Sequence, residues 1–133
     1  LRCKLLINTT NTRFVISDNP VVYYNQFMES RGAFGSGMGI LSKGLEIILP
    51  ISPGHCIVFY DGDVYGFGLH AAASISITNE ADVRSLNLLQ PLNAEECLYF
   101  NHEVAERDVQ LLVESSVPFK RKSRARVNEY LAA

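Results

Sequence analysis

The apolar periodicity of this chain of 133 residues changes once, at Asn79. Before it, β-branched and aromatic runs alternate with turn residues; after it, apolar residues recur at three- and four-residue spacing. Strands first and helices afterwards is the order of an α+β domain. We therefore expect a mainly antiparallel sheet in the N-terminal two thirds, joined by short connections, and two or three helices in the C-terminal third. The length suits one domain with a real core, spanning residues 1–133.

Several strands can be placed. Lys4–Ile7 and Arg13–Ser17 flank the polar stretch Asn8–Thr12 and are expected to form a hairpin. Val21–Tyr24 is apolar and β-prone. Leu45–Leu49 and His55–Tyr60 flank a Pro-Ile-Ser-Pro-Gly corner. Asp61-Gly62-Asp63 is a hairpin turn leading into Val64–Leu69, and Ser74–Thr78 is a further strand. Between them, Gln26–Gly39 is glycine-dense and predicts a mobile loop. It lacks both the GK[ST] ending of a phosphate loop and a GxGxxG that opens a helix, so a nucleotide site is not expected.

Asn79 is placed to cap the first helix, with Glu80 and Asp82 in its first turn. Val83, Leu86, Asn87 and Gln90 share one face. Pro91 should break or kink the helix. Asn93 with Glu96 resembles a capping box for a continuation to about Asn101. A third helix over Val104–Ser115 should turn Ala105, Val109, Leu112 and Val113 inward, and Pro118 should end it. Val127, Tyr130 and Leu131 suggest a short amphipathic helix at the end.

Composition excludes more than it selects. A formal net charge of −2 argues against a general nucleic-acid surface. The exception is the basic tail Lys120, Arg121, Lys122, Arg124 and Arg126, where phosphate or RNA contact is conceivable. Apolar runs fall well short of the ~20 residues of a membrane span. Cys3, Cys56 and Cys97 lack CxxC spacing and read as free, buried cysteines in a reducing, cytoplasmic setting. His55, His70 and His102 show neither HxH nor HExxH spacing, so no metal site is expected.

Three features carry chemistry. Phe14-Val15-Ile16 drives into Ser17-Asp18-Asn19-Pro20, a strand ending at a carboxylate, an amide and a rigid proline. Such a corner is either a side-chain-capped turn or a site at the sheet's rim. Ser52 and His55 lie in the second corner and could reach the same rim, although Ser52 is not on a G-x-S-x-G elbow. Asn87 is a primary amide on an apolar stripe. Burying it unpaired would cost about 1–3 kcal/mol, so it should clamp exposed backbone at the Asp18 or Ser52 corner.

Ile16-Ser17-Asp18-Asn19-Pro20-Val21, then Pro50-Ile51-Ser52-Pro53, then Val83 to Asn87 as V-x-x-L-N, resemble the C-terminal half of a mostly bacterial family of unknown function, DUF4238, over roughly Phe14–Phe100. Members typically carry an earlier His-Tyr-x-Pro-like region. Its absence, and an opening Leu in strand-like sequence, suggest the C-terminal part of a longer chain. The resemblance implies no settled activity or cofactor. The expected function is a bacterial, cytoplasmic domain with a polar rim site: Asp18, Ser52 and His55 catalytic, Asn19 and Asn87 ligand-binding, the reaction hydrolysis of a phosphodiester or similar bond. The alternative is a non-catalytic interaction or self-association module. A rim site requires Asp18 in a concavity; a module requires Asp18 satisfied and an apolar patch exposed.

Overall fold

The computed structural model describes residues 1–32 and 39–120. Among them run β1 (Arg2–Asn8), β2 (Ile16–Ser17), β3 (Val22–Tyr24), α1 (Gln26–Glu29), β4 (Glu46–Ser52), β5 (His55–Tyr60), β6 (Ser74–Ile77), α2 (Glu80–Asn93), β7 (Leu98–Tyr99) and α3 (Glu106–Ser116). A single 3₁₀ turn, Val117–Phe119, follows. The fold is α+β. Five strands form one sheet in the order β3-β4-β5-β1-β6. Its pairings are antiparallel except β1 with β6, which is parallel. β2 and β7 form a separate antiparallel pair.

The expected hairpin between β1 and Arg13–Ser17 does not form. β1 is an interior strand with both edges taken, one by β5 and one by β6. The polar stretch after it turns on itself: the Asn8 carboxamide accepts from the Thr10 amide at 2.9 Å and donates to the Thr12 carbonyl at 2.7 Å. Arg13–Ser17 leaves the sheet and pairs with β7 only through Ile16 and Ser17. Val64–Leu69 is not a strand either. Asp61 closes the expected turn, but the chain beyond it folds back so that Tyr65 and Phe67 pack on the core, with the Tyr60 and Phe67 rings 4.7 Å apart.

Alternation sorts the sheet into two faces. Leu6, Val22, Ile48, Cys56 and Val58 point inward and form the core with Phe14 and with Val83 of α2. Tyr60 completes it, and Ile75, Ile77, Leu86 and Leu89 pack around it. Of the three cysteines, all free, Cys56 is buried as expected while Cys3 and Cys97 are exposed. Burial pushes the Cys56 thiol up to about 12, leaving it inert.

The start of the glycine-dense stretch is helical, not loop. Asn25 caps α1 by accepting from the Met28 amide at 3.0 Å and donating to the Lys43 carbonyl at 2.9 Å. Gly44 makes this corner possible: at φ +79° it sits where an added Cβ would lie 2.6 Å from Phe27 Cβ. Residues 33–38 of that stretch lie outside the described residues.

α2 starts where expected, with the Asn79 side chain accepting from the Ala81 amide at 2.9 Å. It then runs through Pro91 to Asn93, neither breaking there nor restarting at Asn93. Ala94 ends it, and the following residues become β7, so the expected continuation to Asn101 is absent. α3 matches the third expected helix, but only Val109 of its four expected inward residues is buried; Leu112 is half-buried, and Ala105 and Val113 are exposed. Arg121, Lys122, Arg124, Arg126 and the stretch through Val127, Tyr130 and Leu131 lie outside the described residues; Lys120 is exposed.

Candidate functional site

Residues Arg13–Val21 form an extended segment laid along α2, and three primary amides of the helix hold it. Asn87 donates to the Arg13 carbonyl at 2.9 Å and accepts from the Val15 amide at 3.1 Å. Gln90 accepts from the Ser17 amide at 2.8 Å and donates to the Pro20 carbonyl at 3.1 Å. Asn93 donates to the Asn19 carbonyl at 2.6 Å and the Val21 carbonyl at 3.1 Å. Asn19 answers by donating to the Asn93 carbonyl at 3.2 Å.

The match follows from two repeats. Same-edge groups of an extended chain recur every two residues, about 6.7 Å. Helical residues three or four apart recur every ~4.5–6 Å on one face. Amides at 87, 90 and 93 therefore climb the helix nearly in step with the backbone groups they serve. Asn87 and Gln90 are 5% and 0% exposed, so no water competes. The bonds flanking Pro91 hold the helix where the proline removes one of its own.

Asp18 sits at the end of this zipper. Its two carboxylate oxygens accept from the amides of Glu95, at 3.0 Å, and Glu96, at 2.9 Å, and its own amide donates to the Cys97 carbonyl at 3.1 Å. Desolvation opposes ionisation, but the Glu96 and Glu95 amides outweigh it and hold the carboxyl below its ordinary value. The charge is thus anchored to backbone just past the C-terminus of α2.

Ser52 and His55 do meet: Ser52 Oγ lies 2.8 Å from His55 Nδ1 at the β4–β5 hairpin. They face each other in the ladder, and His55 also pairs with Ile7, so both belong to the sheet's outer face. Asp18 belongs to the layer on the inner face. The structure brings together Asp18, Asn19 and the α2 amides, and separately Ser52 and His55, but not the two groups. Asn87 clamps backbone as expected, at Arg13 and Val15 rather than at either corner. Gln90 and Asn93 were missed as partners; the signal was three primary amides at one helical spacing.

A cleft of about 550 Å³ lies between α2, α3 and residues 11–15. Val15, Leu88 and Val109 line it, and the Arg13–Glu103 ion pair, 2.8 Å, stands beside it. Of the candidate residues only Asn87 reaches it, and its amide is already engaged. Among the described residues, no group of three or more His, Cys, Asp and Glu side chains could hold a metal. No described helix is long and apolar enough to cross a membrane.

The family model described as Protein of unknown function (DUF4238) matches residues 1–103. The chain belongs to the DUF4238 family. No curated protein and no solved structure matches it. The DUF4238 match takes in the whole sheet, α2, β7 and every member of the amide clamp, and ends before α3.

Proposed function

We propose that this DUF4238 domain is a non-catalytic interaction module in which the Ser-Asp-Asn-Pro corner is architecture. One observation carries this reading: both carboxylate oxygens of Asp18 are engaged by backbone amides. Those amides hold the exposed Asp18 carboxylate ionised below its ordinary range, which makes it a weak base toward a substrate proton and fixes its orientation to the backbone it caps. Asn87 and Gln90 are likewise engaged on both their oxygen and their nitrogen. Meanwhile the outer face of the sheet carries apolar side chains that no described element covers.

Ser52 and His55 support a second reading. A hydroxyl hydrogen-bonded to an imidazole is two thirds of a nucleophilic centre, here with no hydrogen-bonded carboxylate behind the histidine among the described residues. Hydrolysis of bis(p-nitrophenyl) phosphate separates the readings. The module predicts no turnover above background by the native chain, by Asp18→Asn or by Ser52→Ala. Turnover that either substitution abolishes, with melting behaviour kept, would overturn it.

A further inference from the structure

The three middle strands of the sheet are largely apolar on both faces. On the inner side they build the core; on the outer side they carry Leu5, Ile7, Ile47, Leu49, Ile57 and Phe59. An antiparallel sheet with one solvated face normally alternates apolar-in with polar-out. Here the alternation fails, as it does in strands buried on two sides. Yet no outward residue of the five strands belongs to the core cluster, and Phe59 is 39% exposed on the central strand of that face. At the flanks stand Tyr23 of β3, 48% exposed, and Ser74 and Ser76 of β6. No outward position in any of the five strands holds Lys, Arg, Asp or Glu.

Resting on the interaction-module reading, we propose that the occupant of this face is a second copy of the same chain, packed sheet on sheet about a two-fold axis. The lack of Lys, Arg, Asp and Glu favours a copy. Two identical faces can meet only if neither brings a like charge against itself, and here the one imidazole, His55, stands at the hairpin end of the face, away from its middle. Two sheets of equal twist also pack aligned, at about −30°, without distortion. Strands of three to seven residues, spaced about 4.8 Å apart, give roughly 400 Å² in projection per copy. The pair buries about 800 Å², below the usual size of a stable interface, so the dimer should be weak and transient and dissociate at high micromolar concentration.

The order β3-β4-β5-β1-β6 puts β5 in the middle. Any two-fold packing that covers the whole face therefore lays β5 against β5, and a substitution at Phe59 enters the interface twice. The experiment is sedimentation equilibrium of the native chain, with reductant because Cys3 and Cys97 are exposed, from low micromolar to near-millimolar concentration. The expected result is a concentration-dependent dimer. Phe59→Lys and Phe59→Glu should each be monomeric with unchanged circular dichroism, and an equimolar mixture should dimerise again. Tyr23→Lys, at an edge strand, should fold and weaken the dimer less.

A native chain that stays monomeric, a dimer indifferent to Phe59→Lys, or a mixture that fails to re-pair overturns the proposal. Binding of the dye anilinonaphthalene sulfonate to a monomeric native chain, lost in Phe59→Lys, would overturn the second copy alone. It would leave the module reading standing with another occupant. A monomer that binds no dye would remove both.

Discussion

Gln90 shows how one side chain can hold two distant backbone groups. It is fully buried, and the Ser17 amide and Pro20 carbonyl have it as their partner. Gln90→Leu keeps the volume and removes both bonds, so it should destabilise by about 1–3 kcal/mol for each orphaned group, read from urea midpoints. Asn87→Leu should cost a similar amount through Arg13 and Val15. An unchanged midpoint in either would mean that water replaces the amide. Gly44 is a second single-residue constraint. At φ +79° with Phe27 Cβ 2.6 Å from where a Cβ would stand, Gly44→Ala must strain the backbone and displace α1. Loss of amide-exchange protection confined to Gln26–Glu29 and Gly44 is the expected signature, and uniform protection would contradict it.

Elements here are set by their neighbours as much as by their own composition. α2 contains Pro91 and should have ended there on propensity alone. It continues because Gln90 and Asn93, on either side, are tied to the extended segment beneath them. Removing those ties by Gln90→Ala with Asn93→Ala should shorten the helix at its C-terminal end. Slowed amide exchange at Ala94, whose amide donates to the Gln90 carbonyl at 2.9 Å, should be lost while Ala81–Val83 keep theirs. β2 has the same dependence: two residues long, it pairs with Leu98 and Tyr99 while the Ser17 amide is held by Gln90 of α2.

At the scale of the molecule, two carboxyl groups give stability opposite pH dependences in separate windows. Glu46 is buried on the inner sheet face, with Oε2 unpartnered and the Gln26 amide its one donor. Burial raises it to about 7 despite that amide. A folded value above the ordinary 4.5 means the folded state holds the proton longer. Its contribution is full below 4.5, falls as pH rises toward 7, and is lost above it. Asp18 runs the other way: its contribution is present above the ordinary 3.8 and is lost as pH falls below it. Thermal melts should therefore show stability declining between pH 5 and 8 in the native chain and not in Glu46→Gln; Asp18→Asn should flatten only the acid limb. Equal slopes in Glu46→Gln would place the proton elsewhere. What the sequence determined by itself was local. Strand runs such as His55–Tyr60, the Asn79 cap, the polar corner at Asp18 and the buried role of Asn87 follow from propensity, capping chemistry and the cost of an unpaired amide. The tertiary structure decided which strand lies beside which, because β1 could pair with any apolar run and only the whole sheet set β5 and β6 at its edges. It also decided that Asp18 and the Ser52–His55 pair stand on opposite sides of that sheet, since strand parity assigns a face only once register is set.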